Sequence, residues 1–279
     1  MPIHDHSYRH YTGTRLSPAA VWRVIAWNGI RAMLARRLFL VVMLFAWAQF
    51  VVRAVVLYLS ANFPQFDVLA ITPSMFREFF EQQGFFVFIV TVYVGAGLIA
   101  TDRRVHALQI YLSKPVTRAQ YVAGKLVVLM VLLLAVTWAP AMMLLLLQVL
   151  FAGNVTFLID HLFLIPAITV FSLLYTLLAS FTMLALSSLS TNARYVGVLY
   201  TAALLLSEAV FGVLTAVTRS TGASWLSFRA NLAQMGDVIF RLSPRYETPW
   251  VVSFVVVGVV IALATWVLAR QVRAVEVVT

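Results

Sequence analysis

An all-α polytopic membrane protein with six transmembrane helices is the fold class that three observations predict. Hydrophobic residues make up 62% of the chain and the mean hydropathy is +0.94, whereas water-soluble domains are roughly half apolar. The apolar residues gather in runs of about twenty or more, the length a helix needs to cross the hydrocarbon layer. Strand-like alternation is missing, which argues against a β-barrel. The 279 residues therefore form a single transmembrane domain. It divides into an amino-terminal tail with an interfacial helix (1–37), a six-span bundle (38–268) and a short tail (269–279).

Residues 1–16 are polar and include His4, His6 and His10. Pro2-Ile3-His4 would chelate copper weakly if Met1 were removed, but histidines fall in polar termini by chance, and no metal ligand is assigned. The first twenty residues lack an apolar core, so no cleaved signal peptide is expected. Ser17-Pro18 reads as an N-cap followed by proline in the first turn. The helix after it places Trp22, Ile25, Ala26 and Met33 on one face and Arg23, Asn28 and Arg31 elsewhere. That pattern predicts an interfacial helix rather than an extension of the first span.

The first span is expected over 38–58 and contains Arg53. In the following connection Thr72-Pro73 opens a short outer helix carrying Phe76, Phe79 and Phe80, which Gly84 should stop. The second span is expected over 85–100. Asp102, Arg103 and Arg104 end it. Val105, Leu108 and Leu112 then recur at spacings of three and four, the stripe of a short amphipathic helix. Lys114-Pro115 should terminate that helix, because the residue before proline is pushed out of the α region. Thr117 with Gln120 makes a capping box, so a new helix begins there and passes through Arg118 into the third span, 126–151. Pro140 should kink that span. The fourth and fifth spans are expected over 162–189 and 196–217, the fifth containing Glu208. Within 219–248, Trp225, Phe228, Leu232, Met235, Ile239 and Leu242 repeat at helical spacing, predicting an amphipathic helix on the outer surface. The sixth span covers 250–268.

Charge orients the bundle. With the amino terminus inside, cytoplasmic segments carry 14 of the 20 lysines and arginines, and the bias places both termini in the cytoplasm. The formal charge of +10 is then a topology signal and a hold on anionic lipid, not a nucleic-acid footprint. The chain has no cysteine, which excludes disulfides and thiolate chemistry and is compatible with a bacterial inner membrane. Gly124-Lys125 lacks the upstream glycine and following Ser/Thr of a phosphate-binding loop, and no hydrolase or metalloprotease motif is present. No catalytic, cofactor or metal residue is assigned. Arg53 and Glu208 are the two ionisable residues inside spans. They contact a substrate or gate, or they pair with each other if spans one and five are neighbours.

The run Asp102, Ala107-Leu108, Tyr111-Leu112-Ser113, Pro115, Thr117-Arg118, Tyr121 and Gly124-Lys125 resembles the first cytoplasmic loop of type 2 ABC exporter permeases. The resemblance is to six-span subunits of the kind used in gliding motility and nitrous-oxide-reductase maturation. The tail Leu268-Ala269-Arg270-Gln271-Val272-Arg273-Ala274-Val275-Glu276-Val277-Val278 is similar as well. His106 departs from the pattern, standing where glycine or a small residue is expected. The resemblance implies an exporter membrane subunit paired with a second permease subunit, as homo- or heterodimer, and driven by two copies of a separate P-loop ATPase. ATP and Mg would then be bound by that partner, and this chain would not itself be an enzyme. The segment Asp102, Arg103, Arg104, Val105, Leu108, Leu112, Lys114, Pro115 and Arg118 would be the coupling helix that the ATPase grips. Two other readings are carried: a membrane enzyme acting on lipid, with Glu208 or Asp102 as acid or base, and a non-transporting anchor that passes ATPase motion to an extracytoplasmic partner.

Overall fold

The computed structural model describes residues 20–62, 72–107, 116–152 and 159–272. Among these there is no strand, and six helices are long and apolar enough to cross a membrane. Leu108, Leu112, Lys114 and Pro115 lie outside the described residues, as do the histidine-bearing terminus, Ser17-Pro18 and the end of the tail.

Helix α1 (Val21–Leu34) is separate from the first span, α2 (Arg37–Asn62). It packs along the base of the third span, where glycine permits close approach. A Cβ on Gly124 would lie 2.8 Å from Ile25 and 3.1 Å from the Trp22 carbonyl oxygen. Ala26 is buried, while Arg23, Trp27, Asn28 and Arg31 are exposed, as the interfacial reading expects.

The second span differs from expectation. It is one continuous helix, α3 (Pro73–Arg104), of 32 residues, and Gly84 does not stop it. A glycine inside a helix costs only about 1 kcal/mol relative to alanine, and burial of Phe76, Phe79 and Phe80 on one side and Val87 and Val90 on the other outweighs that. The three phenylalanines therefore sit in the core with Phe171 and Phe240 rather than on a separate outer helix. At about 1.5 Å per residue the helix is about 48 Å long, so its far end stands clear of a hydrocarbon layer about 30 Å thick. A π-helical turn, Thr91–Gly95, interrupts it. Gly95 closes that turn, and any Cβ there would collide with Met183 and lie 2.9 Å from Leu129. Gly95 thus marks a packing contact among the second, third and fourth spans.

The third span is α4 (Arg118–Val136) and α5 (Trp138–Ala152), broken at Thr137. Pro140 explains the break, since it has no N–H for the Val136 carbonyl. The amide of Gln83, fully buried on α3, donates to that carbonyl at 2.7 Å and to Ala46 of α2 at 3.1 Å. The Trp47 indole donates to the neighbouring Ala135 carbonyl at 3.2 Å. The first two spans thus fill the gap that the proline opens.

Helix α6 (Leu164–Leu189) is central, packing against α3, α4, α5 and α7 (Ala193–Thr218), and against α8 (Phe228–Ile239) and α9 (Trp250–Gln271). Helix α8 also departs from expectation. It carries Met235 into the core, but Asn231, Gln234 and Asp237 are buried too. It is wedged against α6 and α9 rather than laid on the surface by an apolar stripe. The side-chain amide nitrogens bond internally, Asn231 to the Trp225 and Ser227 carbonyls and Gln234 to the Thr248 carbonyl, while the two amide oxygens are buried with no partner among the described residues.

Candidate functional site

The site is the corner where α3 ends and α4 begins. Its construction starts at the π turn, which breaks the i to i−4 hydrogen-bond ladder and leaves the resumed helix short of acceptors. Ser187 of α6 supplies one. Its hydroxyl oxygen accepts from the Ile99 and Ala100 amides at 3.1 and 3.0 Å and donates to the Ala96 carbonyl at 2.9 Å. One turn later Arg103 donates to the Ser188 carbonyl. Two successive serines of the fourth span therefore hold the end of the second.

Asp102 ties the second span to the third. Its Oδ2 accepts from the Tyr121 hydroxyl at 2.8 Å and lies 2.7 Å from Lys125 Nζ. Tyr121 and Lys125 are four residues apart and so share a face of α4. That helix starts at the predicted capping box. The Gln120 amide donates to Thr117 Oγ1 at 3.2 Å, and the Thr117 amide to Gln120 Oε1 at 3.0 Å. The Asp102 and Lys125 side chains are only 17% and 13% exposed, so the pair is shielded from the solvent screening that makes surface ion pairs weak.

Beyond this lock the chain turns outward. His106 has φ of 56°, the left-handed region that favours glycine. The residue that departs from the resembled pattern is thus the one whose backbone glycine would suit. Arg104, Val105, His106 and Arg118 are exposed, Val105 by 57%. Of the expected coupling residues, Asp102 and Arg103 anchor the corner inward, while Arg104, Val105 and Arg118 present it outward.

Arg53 and Glu208 do not meet. Arg53 is 3.5 Å from Glu78 of α3, and Glu208 accepts from Ser227, the N-cap residue of α8, at 2.6 Å. Helix α2 packs on α1, α3, α4 and α5, whereas α7 packs on α3, α6 and α8. The pairing is conditional on spans one and five being neighbours, and in its place the structure has two separate contacts.

Sequence reasoning missed a second polar cluster at the far end of α3. Asp237 of α8 is fully buried and accepts from Arg77 Nη1 at 2.9 Å and from Arg245 Nη2 and Nε at 2.9 and 3.0 Å. Arg245 also reaches Glu81 at 2.6 Å. Burial alone would lower the pKa of the Arg245 guanidinium, but its hydrogen bonds to Asp237 and Glu81 raise it on balance. Burial raises that of the adjacent Tyr246 phenol, against Arg245 and with Glu208. The Arg77/Glu81 spacing of four was a usable signal; Asp237, 160 residues away, gave none. No protein-family model matches the chain, and no curated protein matches its sequence.

Proposed function

We propose that this chain is the transmembrane permease subunit of an ATP-driven exporter of the type 2 ABC kind. In this reading both termini are cytoplasmic, in a bacterial inner membrane, and the subunit works as a dimer. Two copies of a P-loop ATPase, which bind ATP and Mg, grip the segment from Val105 to Arg118. One observation carries the reading: the corner that frames this segment is bonded to three spans at once. Asp102 holds Lys125 and Tyr121, and Arg103 holds Ser188. A push on the segment is therefore delivered to the second, third and fourth spans together. An ordinary basic loop needs no such bracing.

The lipid-enzyme reading loses support, because Asp102 is engaged by Lys125 and Tyr121, and Glu208 by Ser227. The relay reading keeps one supporting observation. Helix α3 runs unbroken in chain connectivity from the coupling corner to the Arg77/Glu81 cluster beneath α8. Motion at one end would reach the opposite surface.

The test is co-expression of this chain with a P-loop ATPase whose gene neighbours its own and which co-purifies with it. Leu108→Asp puts a charge on the gripping stripe and should abolish ATPase binding to membranes and its stimulation by the chain, while Gln109→Ala should leave both unchanged. Equal binding and activity for Leu108→Asp would reject the docking reading. Stimulation only by an added extracytoplasmic protein, without vectorial movement, would select the relay.

A further inference from the structure

A groove of about 770 Å³ lies between the second and fifth spans, lined by residues of both from Val92 to Thr101 and from Ala193 to Leu205. Val92 and Tyr93 of the π turn form one wall, and Val198 and Leu205 of α7 form the other. The helices meet beside it through small residues. A Cβ on Gly197 would lie 3.1 Å from Val92, and one on Gly97 would lie 3.8 Å from the Ala193 Cβ. Two arginines line its end: Arg36, just before α2, and Arg194, in the first turn of α7. Both are exposed, and neither has an ion pair among the described residues.

The charges choose the occupant. Following the six spans, Arg36 and Arg194 lie at the end of the bundle where α3 finishes. The only described acid at that end is Asp102, which is already held by Lys125 and Tyr121. Glu78, Glu81, Asp160, Glu208, Asp237 and Glu247 belong to the opposite half. Among the described residues, a second copy therefore has no free carboxylate at this end to offer these arginines, the acids of the two termini (Asp5 and Glu276) lying outside the described residues. A lipid phosphate offers an anion, and the apolar walls suit an acyl chain. The volume falls in the range of roughly 300–1,000 Å³ typical of small-molecule sites.

We propose that this groove binds one anionic phospholipid from the leaflet at that end. The phosphate sits between Arg36 and Arg194, and one acyl chain lies along Tyr93, Val198 and Leu205. Basic pockets between spans on the cytoplasmic side commonly take such headgroups. The site goes beyond the transport reading and does not depend on an ATPase.

The test uses the purified full chain in detergent, with phosphatidylglycerol and phosphatidylcholine as probes and bound lipid read by native mass spectrometry. Phosphatidylglycerol should bind selectively, and Arg36→Gln/Arg194→Gln should weaken it about 30-fold, taking each basic residue at its usual worth against an anionic surface. Arg31→Gln/Arg37→Gln, which removes two charges from the same end but outside the groove lining, should retain binding. Ala202→Trp, which fills the groove while leaving both arginines, should weaken it. Equal losses in the two double variants would reduce the effect to a general basic surface and overturn the proposal, as would unchanged binding in Ala202→Trp. A high-yield disulfide dimer through Ala202→Cys in native membranes would place a second copy there and overturn it too.

Discussion

Gln83 and Pro140 lie 57 positions apart in sequence, yet the structure makes each the reason for the other. Proline removes the donor that the Val136 carbonyl would otherwise receive, and the Gln83 amide supplies one at 2.7 Å from a fully buried position. Gln83→Leu leaves that carbonyl unpaired in an apolar environment, a loss of about 1–3 kcal/mol. Part of the loss is returned, because Gln83 Oε1 is itself buried without a partner and leucine removes it. The net destabilisation should be about 1 kcal/mol. Pro140→Ala restores an N–H to the third span, and the Val136 carbonyl then no longer needs Gln83.

The cycle is sharper than either single variant. Gln83→Leu should cost about 1 kcal/mol less in the Pro140→Ala background than in the parent, within the range measured for hydrogen bonds between membrane helices. Equilibrium unfolding in mixed micelles, followed by tryptophan fluorescence, measures all four proteins. Strictly additive losses would show that Gln83 and Pro140 are not coupled. They would mean that the glutamine contributes by packing and that the Val136 carbonyl finds another donor.

His106→Gly should raise stability by up to about 1 kcal/mol in the same assay, because a left-handed residue is freed of its Cβ penalty; a loss would show that the imidazole makes compensating contacts. Arg53→Met and Glu208→Gln should be additive to within about 0.5 kcal/mol, as expected for sites that share no partner, whereas Arg53→Met and Glu78→Gln should couple. For topology, Ala119→Cys should react with an impermeant thiol reagent only after permeabilisation, and Gly222→Cys from outside; the reverse pattern would invert the bundle. Ser224 is a poor label site, because it is 1% exposed and bonded to Thr248.

What could be read from the sequence was local. The capping box at Thr117 and Gln120, the break three residues before Pro140, the separation of α1 from the first span and the six apolar helices all follow from neighbouring residues and helical period. What escaped was set by packing between spans. Nothing near Asp102 in the chain indicates that Tyr121 and Lys125 will close on it. The partner of Arg53 shows how one boundary propagates. Because Gly84 was expected to end a separate helix, Glu78 was assigned to an outer connection. Once α3 is continuous from Pro73, Glu78 stands beside the outer half of the first span, and the partner of Arg53 needs no contribution from span five.

Polar groups inside an apolar bundle are costly, so where they gather shows which parts must hold a fixed relation to one another. Here they gather along α3. Arg77 and Glu81 bind its far end to α8 and the following loop, and Glu78 binds it to α2. Gln83 joins it to the broken third span, while Ser187, Asp102 and Arg103 fix its near end to α6 and α4. By contrast α9 carries an apolar sequence, Trp250–Leu268, with little polar bonding to its neighbours. Apolar contacts alone permit sliding, since lipid offers an alternative of similar polarity. Directional bonds do not slide without breaking. Under the proposed coupling, α3 is the element through which displacement at the Val105–Arg118 corner would be passed to the rest of the bundle.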